Sequence, residues 1–364
     1  MLYKLLSRID RTFFKPSIIS LTDIGPVGAR IVNGGIPVKA MGMRRGMPDP
    51  AGLIRLVGSL KTQRPDLVQT WMYHADLIGG LAARVSGGIP VIWNIRHVDL
   101  DSRRNKQTTI WTAKVCAKLS SSLAQKIVTN SATSRRVHAM LGYADKTMVV
   151  IPNGFDTDHF KPNPDARKSI RHELGIPQDT ILIGFIARFH PQKDHRNFIT
   201  AASLLAERTK DIRFLLCGDG INWGNPLLCQ WIGEAGLQDY FLLLGRRNDI
   251  PLVTAALDIA TSASAGEGFS NVIGEAMSCG VPSVVTDVGD SALLVGETGI
   301  VVPPHDPASL AAAWNEMIVM GTDGRLARGE KARQRVLKLF SLHAIVKQYE
   351  DLYQQTVNGA ERMK

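Results

Sequence analysis

The chain has 364 residues, 45% of them hydrophobic and 21% charged, which excludes a disordered, collagen-like or coiled-coil protein. Its length predicts two domains, because a domain usually holds about 100–200 residues. The net charge of +10 is unevenly spread: residues 1–150 hold 22 Lys and Arg against eight Asp and no Glu, whereas the rest carries −4. A basic amino-terminal half predicts an anionic surface or polymer as a partner; a solvated basic face without a partner is the alternative.

The spacing of the cysteines and the length of the apolar runs indicate where in the cell the protein is expected. The four cysteines form no C-x-x-C pair and no signal peptide opens the chain, so neither a disulfide framework nor a zinc site is expected. The longest apolar runs, such as Ile181 to Ala187, have the length of a buried strand, well short of the roughly 18 residues of a spanning helix. We therefore expect a cytoplasmic protein, peripheral at most on the inner face of a membrane.

The first half opens with a helical pattern and continues as short β-branched runs between longer helical stretches. Met1 to Ile9 has its apolar residues at helical spacing. Strands are then predicted at Ser17–Ser20, Leu67–Thr70, Val91–Ile95, Lys126–Thr129 and Thr147–Ile151. A doubly wound domain would place a strand before the first helix. We therefore expect either a chain that starts at an internal methionine, with its first strand missing, or a fold that opens with a helix.

The second half repeats the alternation. Its predicted strands are Ile181–Ala187, Arg213–Cys217, Phe241–Leu244, Ile259–Thr261, Ser283–Thr286 and Gly299–Val302. Parallel neighbours need a crossover connection, which a helix supplies, so the sequence predicts two doubly wound α/β domains. The turn Ile151-Pro152-Asn153-Gly154 marks the boundary, with domains at residues 1–154 and 155–340 and a final segment at 341–364.

The strongest chemical signal is the segment Gly266–Met277, which reads GEGFSNVIGEAM. Its small residues lead into a predicted helix, whose first backbone N–H groups and dipole favour a phosphate. Glu275, one to two turns into that helix, is placed to accept hydrogen bonds from sugar hydroxyls. Glu267 falls on the loop, facing whatever is attached to the phosphate. Two glutamates with purely structural roles are the alternative.

A second signal is the segment Gly184–Asp194, which reads GFIARFHPQKD and lies between a predicted strand and a helix. Open α/β sheets bind ligands at such carboxyl ends of strands. Arg188 through its planar fork and Lys193 as a point charge can both reach one diphosphate. An isolated R-x4-K pair is more often an ordinary solvated loop, but its order with the glutamates favours a site.

These motifs resemble the donor domain of family-4 retaining glycosyltransferases with the GT-B fold, and the similarity covers most of the chain. The resemblance implies an acceptor-side first domain and a donor-binding second domain, both Rossmann-like. It implies that Arg188 and Lys193 hold the donor diphosphate, Glu275 the nucleotide ribose and Glu267 the transferred sugar. The backbone near Arg246 would contact the base. The loop and helix start would also bind the donor, through Gly268, Phe269, Ser270 and Asn271.

The first half is similar to the family too. The run WNIRH ends a predicted strand at His97, and the family carries a histidine there that faces the cleft between domains. His97 is therefore implied to contact the transferred sugar, and a satisfied surface histidine is the alternative. The family's first strand and Gly-Gly turn have no counterpart, so we expect a sound donor domain and an impaired first domain. A helix from Leu342 to Gln354, with Ser341 as its N-cap, is similar to the family's tail crossing back onto the first domain.

The resemblance implies a metal-independent retaining hexosyltransferase whose only small-molecule requirement is a nucleotide-sugar donor, with a UDP-sugar foremost. The expected acceptor is a glycan or lipid-linked molecule of cell-surface polysaccharide or glycolipid synthesis; no nucleic acid is expected. Two alternatives stay open: a truncated, catalytically silent sugar-nucleotide-binding protein, and a GT-B sugar-nucleotide epimerase.

Three further patterns are weaker. Asp99-Leu100-Asp101 and Asp156-Thr157-Asp158 fit a D-x-D metal motif, but three-residue matches are frequent. The run Gly218-Asp219-Gly220 lacks the rest of a dinucleotide fingerprint, which favours a plain turn. Basic residues from Arg103 to Lys126 interleave with apolar ones around Trp111. This pattern indicates either a helix that lies on an anionic membrane or a packed helix with a charged outer face.

Overall fold

The computed structural model describes residues 1–44, 49–98, 100 and 105–361. The chain separates into two compact units. One comprises Met1–Gly154 and the chain from Leu342 onward, and the other is Phe155–Ser341. All strand pairing within the described residues is parallel. The prediction of doubly wound α/β architecture is therefore confirmed for both units.

The strands of the first unit fall into two separate sheets. They are β1 (Ile18–Ser20), β2 (Val38–Ala40), β3 (Val68–Gln69), β4 (Val91–Ile95), β5 (Lys126–Thr129) and β6 (Met148–Val150). β1 pairs with β2 alone, and the other four form a sheet in the order β3-β4-β5-β6. Among the residues described, β1 pairs only with β2 and β3 only with β4, so the parallel strand pairing of this unit is interrupted between its two sheets.

Helices cover both faces of the four-stranded sheet. Those of the first unit are α1 (Leu2–Arg8), α2 (Gly25–Asn33), α3 (Pro50–Gln63), α4 (Tyr73–Val85), α5 (Gln107–Leu123), α6 (Ala132–Met140) and α15 (Leu342–Glu361). α3, α4 and α5 share a core with Trp93 on one face. α1 and α15 cover the other, where Leu5, Ile92 and Tyr349 are buried together. α15 extends seven residues beyond the predicted end at Gln354, and Thr356 in this extension is buried.

The second unit is one six-stranded sheet. Its strands are β7 (Ile181–Ile186), β8 (Ile212–Cys217), β9 (Phe241–Leu243), β10 (Ile259–Ser262), β11 (Ser283–Thr286) and β12 (Ile300–Val302). Their order is β12-β11-β10-β7-β8-β9. From β7 the chain first winds outward through β8 and β9, then returns to β10 on the opposite side. The strand order therefore reverses between β7 and β10.

Helices pack on both faces of this sheet. They are α7 (Pro164–Glu173), α8 (His195–Ala206), α9 (Pro226–Glu234), α10 (Ile250–Ala255), α11 (Asn271–Ser278), α12 (Ser291–Val295), α13 (Pro307–Val319) and α14 (Gly321–Leu339). One face holds an aromatic core in which Phe198 meets Phe214 and Trp314. The other holds Phe155, Phe269 and Phe340. Across the described residues, no helix is long and apolar enough to cross a bilayer.

Every strand predicted from the sequence is present, and no end differs from the prediction by more than one residue. β2 was missed because it has three residues and follows Gly34-Gly35-Ile36-Pro37, a run typical of a turn. Because β2 was missed, its pairing with β1 in a separate sheet was not predicted either.

Candidate functional site

The loops that follow β7 and β10 meet at the carboxyl edge of the second unit's sheet. These strands are neighbours at the point where the strand order reverses, the place where open α/β sheets form a ligand crevice. The two loops are joined directly, since the backbone N–H of Ala265 donates to the carbonyl of Gln192 at 2.8 Å. Residues 73 positions apart in the chain are thereby held side by side.

An ion pair between Lys193 and Glu267 lies at the centre of this junction. Their side chains are 20% and 13% exposed, so the pair is largely shielded from water. Ser264 donates its hydroxyl to Oε1 of Glu267 at 2.9 Å, the same oxygen that receives Lys193. Thr286 at the end of β11 in turn donates to the carbonyl of Ser264 at 2.7 Å. Sequence reasoning found Lys193 and Glu267 but missed Ser264, because no motif marks a lone serine three residues upstream.

Arg188 lies two residues beyond β7 and is exposed, with its guanidinium available to an incoming anion. Its backbone is fixed by the next strand: a Cβ on Gly218, whose φ is +153°, would stand 2.2 Å from the carbonyl oxygen of Ala187. Only glycine fits at that approach. The Gly218-Asp219-Gly220 run is thus a strand-end turn, as expected.

The loop after β10 leads into α11 through residues whose side chains point in different directions. The ring of Phe269 is buried and stacks on Phe155 with centroids 6.0 Å apart, which leaves only its backbone to face a ligand. Asn271 is exposed and Glu275 half-buried. Gly274 is required by packing, because a Cβ there would lie 2.0 Å from the Phe155 ring. The start of α11 is therefore pinned by its apolar side while its polar side faces outward.

The loop that follows β11 supports the backbone at Glu267. A Cβ on Gly289, whose φ is +60°, would stand 2.2 Å from the carbonyl oxygen of Glu267. The N–H of Asp290 donates to the carbonyl of Gly268 at 3.0 Å. The segment between Glu267 and Gly268 is thus held from the β11 side, a contact that no sequence pattern signalled.

The loop after β9 carries two adjacent arginines, Arg246 and Arg247, whose surroundings differ. Arg247 pairs with Oε1 of Glu173 and with Oδ2 of Asp249, each at 2.5 Å. Its hydrogen bonds to those carboxylates raise its pKa, so its charge is firmly engaged. Arg246 is exposed beside it, which makes Arg246 rather than Arg247 the residue at hand for a ligand.

Two family models match this chain. Residues 1–159 match the model described as Glycosyltransferase Family 4, and residues 180–319 match that described as Glycosyl transferases group 1. The chain belongs to glycosyltransferase family 4. The resemblance inferred from the R-x4-K and E-x7-E motifs is confirmed.

The relatives include two bacterial enzymes. The chain is 27% identical over 315 residues to UDP-Gal:alpha-D-GlcNAc-diphosphoundecaprenol alpha-1,3-galactosyltransferase of Escherichia coli, covering 84% of this chain and 79% of that one. It is 32% identical over 280 residues to D-inositol 3-phosphate glycosyltransferase of Corynebacterium jeikeium. That second match covers 72% of this chain but only 65% of the relative's length.

Solved structures show the fold. HepE of Anabaena, crystallised with UDP, matches with a TM-score of 0.83 at 24% identity, covering 97% of this chain and 96% of that one. A glycosyltransferase of Rickettsia africae matches with a TM-score of 0.82 at 19% identity, covering 98% and 94%. This family-4 chain therefore has the α/β GT-B fold with two Rossmann-like domains.

In the first unit of this family-4 protein, His97 lies two residues beyond β4 and is partly buried. The hydroxyl of Ser134 donates to its carbonyl oxygen at 3.0 Å. Its neighbour Arg96 is turned inward: it donates to the hydroxyl of Tyr349 at 2.5 Å and lies over the ring of Trp71. Burial lowers the pKa of Arg96. Arg96 thus ties α15 to the end of β4, while His97 is held beside it.

The weaker sequence patterns have mixed outcomes. Asp99 and Asp101 lie outside the described residues. Asp156 accepts the backbone N–H groups of Asp158 and His159 at 3.2 Å, which makes its D-x-D run a turn. The described residues contain no group of three or more His, Cys, Asp or Glu side chains placed to hold a metal ion.

The basic helix is shorter than the pattern suggested. α5 covers Gln107–Leu123, and Lys126 is the first residue of β5, so it does not share the helix face. Arg103 lies outside the described residues. What α5 presents to solvent is Trp111, 65% exposed, with Lys114 and Lys118 one and two turns further on.

Proposed function

We propose that this protein is a retaining hexosyltransferase that moves a sugar from a UDP-sugar to a lipid-linked or glycan acceptor. The observation that carries the proposal is the shielded group of Lys193, Glu267 and Ser264 at the β7–β10 crevice, beside exposed Arg188. The Escherichia coli relative, whose name specifies a UDP-galactose donor and a diphosphoundecaprenol acceptor, supports these substrate classes.

In this proposal the second unit stabilises the leaving group. Negative charge grows on the diphosphate as the bond to the sugar breaks. Arg188, Lys193 and the backbone N–H groups from Gly268 to Asn271 stabilise this charge, and electrostatic stabilisation of this kind is usually the largest contribution to catalysis. Glu275 holds the ribose, and the backbone near Arg246 contacts the base.

The sugar itself is steadied by Glu267 and His97, and no side chain is assigned as a nucleophile. Without a covalent carboxylate, retention requires the acceptor to attack from the face that the diphosphate leaves. No metal ion takes part in this scheme, because the two cations and the helix start supply the positive charge.

When the nucleotide-sugar donor binds, the ion pair between Lys193 and Glu267 breaks and Lys193 pairs with the diphosphate instead. In the ligand-free protein each group neutralises the other. A diphosphate carries more negative charge than one carboxylate and offers Lys193 a stronger partner. Binding therefore frees Glu267 to accept hydrogen bonds from the hydroxyls of the incoming sugar, while Ser264 keeps its carboxylate in place.

The proposal is tested in two steps. Thermal unfolding with UDP, GDP and ADP identifies the base, since a ligand at 100 times its dissociation constant stabilises by about 2.7 kcal/mol. Radiolabelled UDP-galactose and UDP-glucose are then offered with a GlcNAc-diphosphate-polyprenol acceptor and, separately, with inositol 3-phosphate. Acceptor-dependent transfer with a retained anomeric configuration supports the proposal, and epimerised nucleotide sugar without transfer contradicts it.

One observation favours a second candidate, a catalytically silent sugar-nucleotide-binding protein. The strand pairing of the first unit is interrupted between its two sheets, and we propose that this interruption impairs the unit. Under that reading UDP binds normally, but neither transfer to an acceptor nor slow hydrolysis of the donor occurs.

We also propose that the first unit docks on anionic lipid through α5. Trp111 supplies an interfacial aromatic ring, and Lys114 and Lys118 supply the charge that attracts acidic headgroups. Vesicles of equal phosphatidylglycerol and phosphatidylcholine should sediment the protein at about 50 mM salt and release it at about 0.5 M, because salt screens exposed charges.

A double variant, Lys114→Glu with Lys118→Glu, should abolish this sedimentation. Lys331→Glu with Lys338→Glu, two exposed lysines of α14 in the second unit, should leave it unchanged. Binding that salt does not weaken, or no binding even at low salt, would count against docking through charge.

A further inference from the structure

Three buried side chains form a hydrogen-bonded chain beneath His97. They are Tyr73 on α4 and Ser134 and His138 on α6, each at most 1% exposed. The hydroxyl of Tyr73 lies 2.8 Å from Nε2 of His138. Nδ1 of His138 lies 2.7 Å from the carbonyl oxygen of Ser134. The hydroxyl of Ser134 then donates to the carbonyl oxygen of His97 at 3.0 Å.

The direction of each hydrogen bond follows from the carbonyl of Ser134, which can only accept. Nδ1 of His138 must therefore carry the proton, so Nε2 accepts from the hydroxyl of Tyr73. Burial lowers the pKa of His138 to about 4 and keeps the ring neutral near pH 7. Each hydrogen bond between Tyr73 and His97 therefore has one donor and one acceptor, and the directions of these bonds are fixed.

The same group also contacts the imidazole of His97. The ring of Tyr73 meets it edge to face, with centroids 6.3 Å apart and planes at 88°. His97 is thus held at two places, its carbonyl by Ser134 and its ring by Tyr73. Met72, just before α4, has a φ of +73°, a conformation that a non-glycine residue adopts only where its surroundings impose it.

We propose that Tyr73, Ser134 and His138 are positioning residues that set the orientation of His97 toward the transferred sugar. None of the three is accessible, so none can touch substrate, and they act through the backbone and ring of His97. The inference rests on the proposed role of His97 as a sugar-contacting residue. Neither the R-x4-K nor the E-x7-E motif predicts this hydrogen-bonded group, because its members lie on two helices and Tyr73 and His138 are 65 positions apart in the sequence.

The kinetic test uses Ser134→Ala and Tyr73→Phe, with Tyr143→Phe as the matched control. Tyr143 is buried in the same cluster, and its ring lies 5.2 Å from that of His138. Its hydroxyl takes no part in the hydrogen bonds that link Tyr73, His138 and Ser134 to His97. Turnover of UDP-galactose should fall about 10-fold in the first two variants, since small displacements of a reacting contact are costly. The KM for the donor should stay within about twofold, and Tyr143→Phe should match the wild type.

Non-additivity separates positioning from general destabilisation. In a His97→Ala background, Ser134→Ala should lower turnover no further, because the residue it positions is gone. An additional 10-fold loss there, or equal losses in Tyr143→Phe, would overturn the inference.

A spectroscopic measurement keeps the inference testable without activity. With ¹³C-labelled histidine, the Cε1–H resonance of His97 is identified by its loss in His97→Ala. It should shift and broaden in Ser134→Ala and stay in place in Tyr143→Phe. An unmoved resonance in both Ser134→Ala and Tyr73→Phe overturns the positioning role. A moved resonance together with full turnover in His97→Ala supports the positioning and instead refutes the proposed role of His97.

Discussion

Lys193 and Arg188 differ in surroundings, yet the same experiment tests both. Lys193 is 20% exposed and paired with Glu267, whereas Arg188 is exposed. If both act on charge that develops in the transition state, Arg188→Ala and Lys193→Ala should lower turnover by more than they lower affinity for free UDP. Steady-state rates and calorimetric dissociation constants measure the two quantities separately.

Arg196→Ala is the control for this comparison. Arg196 is an exposed cation three residues after Lys193, on the first turn of α8. It should leave both turnover and affinity unchanged. Equal losses of turnover and of UDP affinity in the two site variants would reduce Arg188 and Lys193 to ordinary binding residues.

Asp76 makes the stability of the first unit depend on pH. It is fully buried, and burial raises the pKa of its carboxyl to about 7, although Thr70 donates to it at 2.5 Å. Between pH 4 and 7 the unfolded chain releases a proton that the folded chain retains, so the free energy of unfolding falls as pH rises. The free energy of unfolding falls by about 1.4 kcal/mol per pH unit over this range, up to about 4 kcal/mol in total by pH 8. Asp76→Asn should remove this dependence.

His138 acts in the opposite direction. Burial lowers its pKa to about 4. Between about pH 4 and 6.5 the histidine is therefore protonated in the unfolded chain but neutral in the folded chain. Its contribution to the free energy of unfolding therefore rises with pH from 4 to 6.5, and the two slopes oppose each other in the wild type. Urea unfolding at pH 5 and 8 should show a steeper rise with pH in Asp76→Asn than in the control Asp66→Asn, an exposed site. Parallel pH profiles would contradict the assignment.

At the scale of elements, pattern and spacing predicted most of the fold. β4 and β7 are mainly buried and mainly apolar runs of five and six residues bounded by turn signals, which is why both were found within a residue of their ends. β2 was not found, because three residues after a Gly-Gly-Ile-Pro run carry almost no periodic signal. The end of α15 was predicted too early because the residues after Tyr353 are mostly polar and supply few apolar positions to the helical spacing.

The candidate site was predictable where one loop carries several chemically distinctive residues in order. Arg188 and Lys193 share one loop, and Glu267 and Glu275 share a loop and the helix that follows. Contacts between distant loops were not predictable. Ser264 bonding Glu267, the close approach of Gly289 to Glu267, and the chain from Tyr73 to His97 depend on how strands and helices pack in three dimensions. A single sequence contains no local pattern for them.

For the whole molecule we expect two thermal transitions. The strand pairing of the first unit is interrupted between its two sheets, at the partly buried strands β1 and β3. A backbone group left unpaired costs about 1–3 kcal/mol where it is buried. The sheet of the second unit is continuous over six strands. The first unit should therefore melt first. UDP at 100 times its dissociation constant should raise only the upper transition, by about 5–10 °C.

Differential scanning calorimetry with and without UDP measures both transitions, and ADP at the same concentration is the control. A single cooperative transition that UDP raises as a whole would show that the interruption does not weaken the first unit.

The central claim is that the β7–β10 crevice binds a uridine diphosphate group with Glu275 on its ribose. Calorimetric titration of UDP into the wild type, Glu275→Ala and Glu316→Ala tests it most directly, since Glu316 is an exposed glutamate on α13. We predict that Glu275→Ala weakens binding by roughly 1.5–3 kcal/mol, the scale of a hydrogen bond to a charged group, and that Glu316→Ala binds as the wild type does. Unchanged UDP affinity in a folded Glu275→Ala protein, or no UDP binding by the wild type, would contradict the claim.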